Sequence, residues 1–208
     1  MRSIWVKISE MLFKRLFDIF FSFVGLILLL PIIVVSWLVA SLDTGSNGFF
    51  IQKRVGKNGR LFNLVKIKTM NCIEGVETTV TSSKDARITR SGSFLRRSKL
   101  DELPQLWNIL IGQMSFVGPR PDVPSYADRL TGKDLIVLSV RPGITGPASL
   151  KYKNEEEMLS LQAAPEKYND EVIWPDKVRI NRDYIENYSF CKDLYYIWKT
   201  ILGRDVKN

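Results

Sequence analysis

Between Ile19 and Leu42 the chain carries no charged residue, and Phe, Leu, Ile and Val dominate. A run this long and this apolar reads as a membrane helix, which needs about 20 such residues to cross the hydrocarbon. A secretory leader is the nearest competitor, but no small-residue cleavage pattern follows the run. Pro31 stands in its middle, and a proline there predicts a break or a kink, because the ring removes a backbone donor and crowds the preceding turn. Each arm then rises roughly 18 Å, short of a hydrocarbon core of about 30 Å. Basic residues flank both sides: Arg2, Lys7, Lys14 and Arg15 before, Lys53, Arg54, Lys57 and Arg60 after. A spanning helix concentrates its basic residues on the cytoplasmic side. Break and balanced charge together point to a segment that enters the bilayer and turns back. A simple span is the alternative. Ahead of the run, residues 4–13 mix apolar and basic side chains, as an amphipathic headgroup helix does, or else form a disordered leader.

The turn-rich stretch from Thr44 to Gly48 is the expected boundary between a membrane-associated part, residues 1–48, and a soluble domain, residues 49–208. The 208 residues suffice for one sizeable domain plus this appendage. With a formal charge of +8, the surface should seek anions: lipid, phosphorylated metabolites or nucleic acid. Nucleic acid has no recognisable binding motif here. The chain has no histidine, so acid–base or nucleophilic chemistry falls to Asp, Glu, Lys, Tyr, Ser, Thr or Cys. Cys72 and Cys191 are far apart and lack metal or redox spacing, which excludes a zinc site and a disulfide scaffold.

Within the soluble part, Phe49–Val55 and Leu61–Met70 read as two strands joined at Asn58-Gly59, a pair suited to positive φ. Phe62, Leu64, Lys66 and Lys68 alternate onto one face, either as a phosphate grip or as a solvated surface. Residues 71–84 lack periodicity and read as a loop able to cover a site. A short helix over 91–97 ends in Arg96 and Arg97. Asp101 and Glu102 follow at the head of a striped helix, with Ser98 and Asp101 fitting a capping box and Leu103, Leu106, Trp107 and Leu110 predicted buried. Acids in a first turn are ordinarily caps. Two of them among several arginines, near a membrane segment, suit a metal-bridged phosphate. Prolines on both sides of Arg120 stiffen its perch, and Arg141 recurs in a second Pro/Gly-rich stretch. Residues 155–162 form an acidic helix with a solvated face. Residues 190–202 form an amphipathic helix that packs on the core or lies at a membrane surface.

Five blocks, in order, carry a resemblance: Lys14-Arg15-Leu16-Phe17-Asp18 with the proline-interrupted apolar segment; Lys66-Ile67-Lys68-Thr69-Met70; residues 100–106; residues 114–121; and residues 140–146. The chain resembles the small monotopic phosphoglycosyl transferases, the bacterial sugar-transferase family that acts on polyprenol phosphate. The resemblance implies an α+β, mostly helical fold, with an N-terminal re-entrant membrane helix broken at Pro31 and a small cytoplasmic catalytic domain containing a β-hairpin and amphipathic helices. It implies a bacterial inner-membrane protein on the cytoplasmic face, with Mg²⁺ as cofactor, a UDP-sugar as donor and polyprenol (undecaprenol) phosphate as acceptor; a homodimer fits as well. Asp101 would attack the sugar-linked phosphorus and Glu102 would act as metal ligand or base, both carboxylates holding the metal. Lys66, Arg96, Arg120, Arg141 and Lys153 would bind phosphate or substrate. The chain departs from some members in having Leu30-Pro31 where they have Ser-Pro, Pro147-Ala148-Ser149 where they have Trp-Ala-Gln, Lys153 near an arginine's place, and Asn181 where an aspartate is expected. A non-catalytic, membrane-anchored basic module that binds anionic lipid or a partner is the competing class.

Overall fold

The computed structural model describes residues 4–71 and 85–203. Helix α1 runs without interruption from Ile4 to Thr44 with Pro31 inside it. The residues are thus not divided into two helices, and the segment from Ile4 is the first part of the same helix. A proline removes one hydrogen bond, and a long helix held by packing absorbs that loss. One stripe of α1 is buried: Asp18, Ser22, Ile33, Ser36 and Ala40, at three- and four-residue spacing or multiples of it. Leu26 and Leu29 pack on a core of Phe62, Leu64, Leu106, Ile109 and Met114, while Ala40 joins Ile67 and Leu95. The other faces, including Phe20, Phe23, Leu28, Val35 and Leu42, are exposed apolar surface. By length and composition this helix could cross a membrane.

Strands β1 (Phe49–Val55) and β2 (Leu61–Ile67) form an antiparallel hairpin in register from Phe49↔Ile67 to Val55↔Leu61. Asn58 and Gly59 take φ of 58° and 73° at the turn, as their residue types predict. The second strand stops short of the expected Met70. Lys68 N turns to Gly48 O, and Met70 makes only an isolated bridge with Ile88. Of the expected loop over 71–84, residues 72–84 lie outside the described residues.

Helices α2 (Arg90–Arg97) and α3 (Gln105–Leu110) follow, then a short strand β3 (Ser115–Val117) and helix α4 (Pro124–Ala127). Strand β4 (Gly143–Thr145) pairs in parallel with β3. Helices α5 (Pro147–Lys151), α6 (Glu155–Ser160), α7 (Pro165–Tyr168), α8 (Trp174–Glu186) and α9 (Phe190–Leu202) complete the described chain. The protein is therefore mostly helical, with two small sheets and one long apolar N-terminal helix. Helix α9 packs Phe190 edge-on to Phe13 and Phe17 of α1, yet leaves Tyr195, Trp198 and Ile201 exposed.

Candidate active site

The two acids stand in a tight turn between helices. Thr89 Oγ1 accepts Gly92 N to cap α2, and Ser98 Oγ donates back to Phe94 O at 2.8 Å, so Ser98 closes α2 and does not form the expected capping box. Lys99, at φ 58°, reverses the chain. Leu100–Glu102 then form a single 3₁₀ turn ahead of α3. Pro104 has no N–H to give to Leu100, which leaves the tighter bonds Glu102 N to Lys99 O and Leu103 N to Leu100 O. That start shifts the helical face. Gln105, Leu106 and Ile109 are buried, whereas Trp107, expected inside, is 52% exposed.

Asn108 locks this segment to the hairpin. Its side chain accepts from Val65 N at 3.2 Å and donates to Asn63 O at 2.8 Å. From the other side, Arg15 of α1 donates to Ile109 O and Leu110 O at the end of α3. These clamps bring Lys66 of β2 to Glu102, Nζ to Oε1 at 3.4 Å.

Arg120 reaches the same oxygen at 2.7 Å. Its perch, Gly118-Pro119-Arg120-Pro121, is held by the second Pro/Gly-rich stretch, with Gly118 N donating to Thr145 O at 2.9 Å and Gly143 N to Pro119 O at 2.8 Å. A Cβ on Gly118 would meet Arg141 O at 2.5 Å, which only glycine avoids. Arg141 itself donates to Gly112 O at 2.8 Å, bracing the turn after α3. Lys153 donates to Gly203 O at the end of α9. These contacts put Arg141 at the turn after α3 and Lys153 at the end of α9, while the acid site assembles from Asp101, Glu102, Lys66 and Arg120.

Arg96 sits at the edge. It pairs with Glu156 of α6, and Lys177 of α8 pairs with Glu155, so the acidic helix is engaged on one face and not simply solvated. Burial opposes the charge of Glu102, but Arg120 and Lys66 outweigh it and hold the carboxyl far below its ordinary range. Burial lowers Lys66 to about 8, against the pull of Glu102. Asp101 moves the other way: burial and the neighbouring Glu102 charge raise it, while Lys66 and Arg96 oppose. One carboxylate is thus fully compensated and its neighbour is not.

Asp101 Oδ1, Gln105 Nε2 and Arg96 Nε are buried without a hydrogen-bond partner, polar groups that a bound ion, water or substrate oxygen would satisfy. No cluster of three or more acidic or Cys side chains able to hold a metal occurs among the described residues. Two carboxylates, one with an orphan oxygen, fit Mg²⁺, which takes one or two protein carboxylates and completes its shell with phosphate oxygens and water. Sequence reasoning missed Arg54, Gln105 and Asn108. The hairpin register carried the only available signal for Arg54, since it places this residue on the face of Lys66.

Comparison with known proteins gives a consistent answer. A family model described as "Bacterial sugar transferase" matches residues 9–204. A UDP-glucose:undecaprenyl-phosphate glucose-1-phosphate transferase of Klebsiella pneumoniae is 35% identical over 92% of this chain and 40% of its own length. A protein of the same name in Caulobacter vibrioides is 30% identical over 94% of this chain and 70% of its own. A UDP-galactose-lipid carrier transferase of Erwinia amylovora is 31% identical over 94% and 41%. The chain therefore spans about two-fifths of the length of the Klebsiella and Erwinia relatives.

Proposed function

We propose, from the premise that this chain belongs to the bacterial sugar transferase family, that it moves a sugar-1-phosphate from a UDP-sugar to polyprenol phosphate through a covalent intermediate on Asp101. The observation that carries this reading is the asymmetric acid pair: Glu102 neutralised by Arg120 and Lys66, Asp101 buried with an uncompensated oxygen. A carboxylate short of partners is the better nucleophile, and the neighbouring cations suit phosphate oxygens. The relatives' names support a nucleotide sugar as donor and undecaprenyl phosphate as acceptor, and because glucose and galactose both occur among them they leave the sugar open.

In the first half-reaction, an Asp101 oxygen bonds to the sugar-bearing phosphorus while the phosphoanhydride bond breaks and its electron pair leaves with UMP. In the second, a phosphate oxygen of the polyprenol attacks that phosphorus, the acyl–phosphorus bond breaks, and the carboxylate returns. The product is polyprenol diphosphate sugar. Asp101 and Glu102 would hold Mg²⁺, whose charge would stabilise the phosphate oxygens. Arg120 and Lys66 hold Glu102 ionised and stand ready for charge developing in the transition state.

Helix α1 supports the membrane placement in this reading. Its N-terminal part is bonded to α3 through Arg15, and Asp43 near its other end accepts from Ser91 of α2. Both ends of the apolar run thus attach to one domain, which supports a helix embedded from one face of the bilayer, with the acids near the lipid headgroups. The expected face is the cytoplasmic one, where nucleotide sugars are found.

The test is to incubate full-length protein with Mg²⁺ and UDP-sugars in the absence of acceptor. Mass spectrometry should find a phosphosugar on Asp101, and Asp101→Asn should lose turnover while keeping its melting temperature. An Asp101→Asn variant with full activity, or product formation with no trapped adduct, sinks the mechanism.

A further inference from the structure

The hairpin brings a second arginine toward the site. Directly opposed residues of an antiparallel pair point to the same face, and Phe50, Gln52 and Arg54 oppose Lys66, Leu64 and Phe62. Arg54 therefore projects from the face that carries Lys66. Its Nη1 donates to Pro121 O at 3.1 Å, next in the chain to Arg120. Its Nε and Nη2 both donate to Gln52 Oε1, at 3.0 and 2.6 Å.

All of these acceptors are neutral. A guanidinium has five N–H groups, and three are used, leaving two. None of the ion pairs among the described residues includes Arg54. Its neighbour Arg120 has Glu102. Asp122, the acid that acts on Arg54 through space, accepts from Trp174 Nε1 at 3.4 Å. A partly buried cation beside another cation is costly until an anion completes the set. Burial and the Arg120 charge lower Arg54 to about 10, with Asp122 giving partial relief. Gln52 grips one edge of the guanidinium, which fixes its plane without neutralising it. A fixed fork with two remaining donors matches the bidentate geometry by which arginine takes phosphate.

We infer that Arg54, oriented by Gln52 and Pro121 O beside Arg120, forms a second anion subsite that takes a phosphate of the nucleotide-sugar diphosphate. The inference rests on the proposed function for the identity of that donor. Lys66 and Arg120 are held at Glu102 beside the reacting phosphate, and Arg54, whose hydrogen-bond acceptors are neutral, suits the phosphate that departs with the nucleoside. Polyprenol phosphate offers the same chemistry from the membrane side, and the experiment separates the two.

Full-length protein in detergent is titrated with inorganic pyrophosphate by calorimetry, and KM is measured for donor and acceptor separately. Arg54→Gln should weaken pyrophosphate binding and raise the donor KM at least tenfold, leaving the acceptor KM within twofold. Arg54→Lys, which keeps the charge and can still donate to Pro121 O, should recover part of the binding and provides the readout if the Gln variant fails to fold. Unchanged pyrophosphate affinity in both variants overturns the subsite, and a rise confined to the acceptor KM overturns its assignment to the donor. Wild-type protein that turns over no nucleotide sugar, yet loses pyrophosphate binding on Arg54→Gln, removes the proposed function and leaves the anion subsite standing.

Discussion

Glu102 decides whether the acid pair works as a pair. It is 8% exposed, and two cations share one of its oxygens. Glu102→Gln removes that charge and leaves Lys66 and Arg120 facing an amide, with Asp101 acting on both and Glu155 on Arg120 from farther off. Turnover should fall about 100-fold, the scale of losing one preorganised electrostatic contact, and stability should drop by roughly 1–3 kcal/mol because two cations lose their anion. Steady-state kinetics and thermal unfolding in detergent check both, and wild-type turnover in this variant would remove Glu102 from the chemistry. At this scale the sequence singled out Asp101, Glu102, Lys66 and Arg120 through the company the acids keep and the family resemblance, since first-turn acids alone are ordinarily caps. It hid Asn108 and Gln105. An amide on a helix looks the same whether it faces water or clamps a strand, and only burial tells them apart.

Among the elements, the two Pro/Gly-rich stretches are one device. Residues 140–146 carry the backbone that holds residues 118–121, and the arginine of the second stretch braces a turn. Spacing along the chain made them look like two copies of a phosphate grip, since chain distance says nothing about which backbone pairs with which. A second junction, α5 against α8, can be read by pH. Asp176 accepts from Lys151 Nζ at 2.7 Å and Tyr152 OH at 2.8 Å, and Arg179 joins it. Burial pushes Asp176 up, but those bonds prevail and hold it at about 2. A folded pKa below the unfolded one gives stability that is complete above the unfolded value, near 4, and is lost as pH falls toward 2. Asp176→Asn should therefore cost about 1 kcal/mol at neutral pH, allowing for partial solvent screening, and the two proteins should converge below about pH 2. A difference that persists undiminished at that pH would mean the carboxylate charge is not what joins these helices.

For the whole molecule, the question is which side of the bilayer each end of α1 occupies. Cysteines introduced at Ser3 and Ser46, in a background without Cys72 and Cys191, should both react with an impermeant maleimide in inverted membrane vesicles and neither in right-side-out cells. Reaction from opposite sides would make α1 a simple span. The sequence by itself marked residues 19–42 as a membrane-helix candidate, because the run is long, apolar and uncharged. It also determined the hairpin turn, through Asn58 and Gly59, and the presence of an acid pair set among basic residues. Each of these is local: composition, a dihedral preference, adjacency. Tertiary structure alone decided that the helix continues through Pro31, that one stripe of it docks on the domain at both ends, and which of the basic residues meet Glu102. Those outcomes depend on contacts between residues far apart in the chain, where pairing is chosen by packing and by the cost of burying an unmatched charge.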